Sequence, residues 1–113
     1  MENIYERQAD LCKIFSNAKR LEIIDLLKDR KMSTNDLMLK TGLSKVSLFQ
    51  HLNVLKAKGV IIARREGGAL SYTIADLRII DACKLMRQVL MAQLQEQGEK
   101  ALSMTKKLKE RSR

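Results

Sequence analysis

At 113 residues and 12.9 kDa the chain holds a single domain, which excludes a two-domain enzyme. Apolar residues make up 45%, enough for a packed core, while aromatics at 4% and the lack of Trp exclude an aromatic stacking platform for single strands. Lys and Arg outnumber Asp and Glu by 22 to 13, and the formal net charge of +9 points to an anionic partner, most simply nucleic acid.

The opening MENIYERQADLCKIF is charged and holds no apolar run of signal-peptide length. No stretch approaches the roughly 18 uninterrupted apolar residues of a membrane span, so the chain reads as cytoplasmic and without membrane contact. From Glu2 to Phe15, the positions Ile4, Leu11, Phe15 and Ala18 keep helical spacing and predict a first helix. Asn17 then reads as the N-cap of a second helix, AKRLEIIDLLKD, with Leu21, Ile24 and Leu27 facing inward and Ile23 alongside. KDRKM is a polar turn. Ser33 with Asp36 three residues on forms a capping box that opens a short third helix, closed by Gly42.

Ser44 caps a fourth helix, KVSLFQHLNVLKAK, which Gly59 ends. Beyond it the pattern changes to two short β-branched runs, VIIARR and LSYTI, joined by EGGA, a hairpin-turn signal. Asp76 caps a fifth helix from about Leu77 to Gln97, with Ile79, Cys83, Met86, Leu90 and Leu94 on one face and Gly98 as a kink or end. Residues 1–98 therefore read as the folded domain. Residues 99–113 read as a basic tail, a frayed helix or disordered, with six basic and two acidic side chains.

Four helices, a β-hairpin and a closing helix make a mainly α fold of the winged helix-turn-helix type, with the tight turn TGLS between helices three and four. In the fourth helix Leu48, Leu52 and Leu55 face inward. The residues at its start, Ser44, Lys45, Val46, Ser47, Phe49 and Gln50, are then the expected DNA-binding set, because the first turns of such a helix meet base edges. Gln50 has the donor and acceptor for adenine, and Lys45 suits guanine or a phosphate. Phe49 has two readings, contact with a thymine methyl or packing against the preceding turn. Residues 31 to 65 hold Lys31, Lys40, Lys45, Lys56, Lys58, Arg64 and Arg65 against the single acid Asp36, which suits phosphate contact.

NAKRLEIIDLL, STNDLMLKTGLSKVSLFQHLNVLKAKGVI and RREGGALSYTI resemble, in order and spacing, successive blocks of the ArsR-type family of winged-helix repressors. The resemblance covers about Phe15 to Ile74. It implies a homodimer built from the first and fifth helices, which occupies a near-palindromic double-stranded operator and leaves it on sensing a metal ion, a metalloid or reactive sulfur. It places Val46, Phe49 and Gln50 where bases are touched, and Arg64 and Arg65 on the wing strand. The chain departs from the family pattern at Ala18, where Pro is usual, at Phe49, where a small polar residue is usual, and at Gly68, where a basic residue is common. Of the family's metal sites, one needs cysteines in the stretch that reads NDLMLKTG here. Another needs partners for Asp76 where Arg78, Val89 and Ala92 stand. No cofactor and no metal site are therefore expected. His51, the only histidine, reads as a capping or phosphate-side group.

Cys12 and Cys83 make no CxxC motif, and in a reducing compartment they read as thiols rather than a disulfide. Three roles stay open for them: small buried apolar residues, a thiol switch through a disulfide or polysulfide bridge, or thiolate capture of a soft metal such as arsenite or Cu(I). The competing class of function is a winged-helix module whose basic face binds RNA or a protein partner. An enzyme is not expected, since no Ser-His-acid set, catalytic carboxylate pair or phosphate-binding Gly loop is present.

Overall fold

The computed structural model describes the backbone of residues 3–111 and the side chains of residues 3–106. The elements follow in the order α1 (Ile4–Ile14), α2 (Ala18–Leu27), β1 (Met32–Ser33), α3 (Thr34–Thr41), α4 (Lys45–Ala57), β2 (Ile61–Glu66), β3 (Ala69–Ile74) and α5 (Arg78–Arg111). The chain divides into two compact units, the first ending at Ile80 and the second beginning at Asp81.

In the first unit each helix start is satisfied by a side chain, as its unpaired N–H groups require. The Asn3, Asn17, Ser33 and Ser44 side chains accept from the backbone N–H of Glu6, Arg20, Asp36 and Ser47. The Ser33–Asp36 capping box is complete, with the Asp36 carboxylate accepting from the Ser33 N–H at 3.5 Å. The end of α1 is held from outside: Arg20 Nε donates to the Ile14 carbonyl at 2.8 Å. In α2 Ile23, Ile24 and Leu27 are buried as expected, but the expected inward residue Leu21 is exposed, because the buried face centres on those three residues and leaves Leu21 at its edge.

KDRKM is not wholly a turn. Its last residue, Met32, begins β1, which pairs antiparallel with β3 through Met32 with Tyr72 and Ser33 with Ser71. The wing is thus a three-stranded sheet in the order β1-β3-β2. β2 and β3 pair in unbroken register from Ile61 with Ile74 to Glu66 with Ala69. Gly67 and Gly68 join them at φ +56° and +83°, and two consecutive positive φ values are what a tight hairpin turn of matching twist demands. Met32, Ile61 and Tyr72 are buried on one face of this sheet, which closes over the α2–α4 core.

Asp76 opens α5. Its Oδ1 accepts from the Arg78 N–H at 3.0 Å, and Arg78 Nη2 reaches Oδ2 at 2.6 Å. In the second unit α5 continues through Gly98 as far as Arg111. One glycine costs a helix only about 1 kcal/mol against Ala. An ion pair between Glu96 and Lys100 at 3.3 Å bridges the same turn, in the favourable acid-first order. Along this helix Met86, Leu90 and Leu94 are exposed, as are Leu85, Val89 and Met91. No helix of the described residues is long and apolar enough to cross a membrane.

The Arg78 hydrogen bonds hold the Asp76 carboxyl well below its ordinary value of 3.8, at about 2. A carboxylate depressed in the folded state adds stability that is complete above its unfolded pKa and lost as pH falls through the folded one. Asp76→Asn should therefore flatten the acid limb of the urea-midpoint profile between pH 3.8 and about 2, leaving the limb above it unchanged. A profile identical to wild type would show that Asp76 does not anchor the start of α5.

Candidate nucleic-acid interface

The turn between α3 and α4 is organised by Thr41, the one buried polar side chain among the described residues, at 5% exposure. Its Oγ1 donates to the Leu37 carbonyl at 2.6 Å and accepts from the Leu43 N–H at 3.3 Å. The Thr41 carbonyl accepts from Lys19 Nζ of α2 at 2.8 Å. Gly42, at φ +72°, returns its N–H to the Met38 carbonyl at 2.9 Å. Two carbonyls of the last turn of α3, those of Met38 and Thr41, are thereby satisfied, and the chain passes directly into α4.

Leu48, Leu52 and Leu55 are essentially inaccessible, as expected, and they fix the rotation of α4. At 100° per residue the opposite face carries Val46, Gln50 and Asn53, all three exposed. Asn53 is absent from the expected set, although its spacing of three from Gln50 and seven from Val46 marks it in the sequence. It offers the same amide pairing as Gln50. Lys45 is exposed, Ser44 is occupied as the helix cap, and Ser47 is half-buried. Phe49 is half-buried rather than exposed, with Lys45 Nζ 6.0 Å from its ring centre. The lysines at 40, 45, 56 and 58 make no ion pair among the described residues. Lys31 does: its Nζ lies 2.7 Å from Glu66 Oε2. His51 is half-buried, and burial together with the nearby Arg20 charge pushes its pKa below the ordinary value. Both causes favour the neutral imidazole in the chain without DNA.

On the wing, strand alternation separates the two expected arginines. Arg65 shares a face with Ile61 and Ala63, whereas Arg64 shares the other with Ile62 and Glu66. Both are exposed, and Arg65 Nη1 donates to the Gly68 carbonyl at 3.3 Å across the hairpin turn. Of the thiols, Cys12 is exposed on α1 in the first unit and Cys83 is half-buried on α5 in the second. Neither is in a disulfide. Burial within one chain therefore does not describe Cys12. Among the described residues no three His, Cys, Asp or Glu side chains gather into a group that could hold a metal ion.

A family model described as bacterial regulatory protein, arsR family, matches residues 17–63, which run from the cap of α2 into β2. The chain is 36% identical over 90 residues to the HTH-type transcriptional regulator Rv0081 of Mycobacterium tuberculosis, covering 79% of each. The chain belongs to the arsR family. The crystal structure of Rv0081 superposes with a TM-score of 0.78 at 34% identity, over 86% of this chain and 98% of that one. HlyU of Vibrio cholerae, a transcriptional activator, is 28% identical over 89 residues, covering 79% of this chain and 82% of HlyU. The homodimeric winged helix-turn-helix domain Mb0332 of Mycobacterium bovis gives a TM-score of 0.75 at 28% identity, over 82% of this chain and 86% of that one. This arsR-family chain is a DNA-binding transcriptional regulator, and regulators of the family are not enzymes.

If Thr41 holds the turn, Thr41→Val should lower stability by about 1–3 kcal/mol, the cost of lost hydrogen bonds at a buried site. Urea unfolding measures this. A variant as stable as wild type would assign the turn geometry to Gly42 alone.

Proposed function

We propose that the chain is a homodimeric repressor that occupies a near-palindromic duplex with α4 of each protomer in the major groove. The observation that carries this reading is the exposed stripe Val46, Gln50 and Asn53, set opposite the buried leucines and flanked by lysines that make no ion pair among the described residues. Val46 suits a thymine methyl, Gln50 and Asn53 suit adenine, and Lys45 suits guanine or a phosphate. The lysines at 40, 56 and 58, with Arg64 on the wing, supply sequence-independent attraction to the backbone. Exposed apolar surface on α1 (Ile4 and Leu11) and on α5 (Leu90 and Leu94) supports a partner copy on those helices, since monomers seldom leave such residues grouped in water. Homodimerisation of Mb0332 favours the same assembly. SdpR of Bacillus subtilis, a transcriptional repressor 34% identical over 74 residues, supports repression, whereas HlyU is an activator. Residues 99–113, which include the end of α5, add a net charge of +4.

The duplex is obtained by enrichment from a random-sequence pool. With roughly six to eight phosphate contacts per dimer, the slope of log affinity against log salt should be about −5 to −7. Gln50→Ala should weaken the enriched duplex by about 1–3 kcal/mol and relax one position per half-site. A slope shallower than about −2 excludes docking of α4 in the groove. Equal or tighter binding of single-stranded RNA would favour an RNA-binding module instead.

For the effector, we infer a thiol signal at Cys12 and Cys83. Exposure of Cys12 supports access by a polysulfide, an oxidant or a soft metal. Coupling of about 1–3 kcal/mol between thiol state and DNA would change affinity by roughly 5- to 150-fold. Polysulfide treatment should therefore lower the affinity of wild type and leave Cys12→Ser and Cys83→Ser unaffected. Unchanged wild-type affinity removes both residues from sensing, and release by arsenite alone would assign a soft-metal signal.

A further inference from the structure

The hairpin of residues 61–74 carries one acid, Glu66, placed where β2 enters the two-glycine turn. It lies on the same sheet face as Arg64, two residues before it. A carboxylate there faces two problems in a protein that binds DNA. It repels phosphate, and it competes with phosphate for Arg64. The structure gives it another partner. Lys31 Nζ sits 2.7 Å from Glu66 Oε2, and Lys31 comes from the segment leading into β1, on the far side of β3 in the strand order. The two side chains are 58% and 53% exposed, and exposed pairs of this kind contribute little to folding. The pair therefore has its main effect on the charge that the wing presents.

We propose that Lys31 is a positioning residue of the wing: by binding Glu66 it keeps the carboxylate from Arg64 and from the duplex, so that Arg64 can meet a phosphate. The proposal rests on the reading that the wing touches DNA. It also removes Lys31 from the phosphate-contacting lysines that charge counting suggests. Lys31 holds Glu66 below the ordinary carboxylate range, with Arg64 adding a smaller contribution.

A double-mutant cycle tests this, using wild type, Lys31→Ala, Glu66→Gln and the double variant on the duplex enriched by wild type, with Arg64→Ala and Gln50→Ala alongside. Lys31→Ala should lower affinity roughly three- to tenfold at low ionic strength, as expected for one uncompensated charge near phosphate. Glu66→Gln should bind at least as tightly as wild type. In the Glu66→Gln background, removing Lys31 should have no further effect. Equal urea midpoints for all four proteins separate this from a loss of folding. If Lys31→Ala weakens binding equally in both backgrounds, or not at all, the proposal is overturned while the wing contact stands. If Arg64→Ala leaves affinity intact while Gln50→Ala lowers it, the wing does not touch the duplex and both readings fall.

Discussion

Burial of Leu48, Leu52 and Leu55 sets the orientation of α4, and the candidate interface on its opposite face depends on that orientation. A helix is a rigid rotor: once one face is fully withdrawn from water, the residues on the opposite face are determined. Fixing rotation alone would still leave the helix free to swing. That freedom is removed at the turn before it, where the buried Thr41 hydroxyl, the left-handed Gly42 and the Ser44 cap leave α4 one entry direction. Lys19 extends the same clamp to α2 by donating to the Thr41 carbonyl. The exposed stripe Val46, Gln50 and Asn53 is thus presented by packing on one side and by hydrogen bonds at one end.

The wing is tied to the same frame through Ser33. Its backbone pairs with Ser71 of β3, and its side chain caps α3, so no flexible linker separates the sheet from the helix-turn-helix. Wing and α4 consequently move as parts of one unit. A duplex that meets both must satisfy their fixed separation, which adds shape discrimination to base contacts. Strand alternation then divides the labour between neighbouring arginines. Arg64 lies on the face it shares with Glu66, whereas Arg65 folds back onto the Gly68 carbonyl and stabilises the turn.

Features with local causes were legible in the sequence. Asn17, the Ser33–Asp36 box, Ser44 and Gly42 all act within three or four residues of themselves, and each behaves as its chemistry predicts. The two glycines of EGGA likewise specify their turn alone. What escaped depends on partners distant in sequence. β1 is two residues long, too short for any periodicity, and exists because Tyr72 and Ser71 are there to pair with it. The exposure of Leu21, the half-burial of Phe49 and the exposure of Cys12 are decided by what packs against each position. Lys31 counts as a DNA-facing charge until its bond to Glu66, 35 positions away, is known. Asn53 was within reach of the same helical arithmetic that identified the buried leucines. Gly98 marks a helix end by residue type, yet α5 runs through it, because one glycine without proline is a small penalty in a long helix.

The most direct measurement is mapping of backbone amide NMR shifts on addition of the enriched duplex. The largest changes should fall on residues 44–53 of α4 and its cap, with a second set at residues 64–69 of the wing, and little change in the buried core of α2. A duplex that instead shifts residues 81–106 of α5 while leaving residues 44–53 unmoved would contradict recognition through α4.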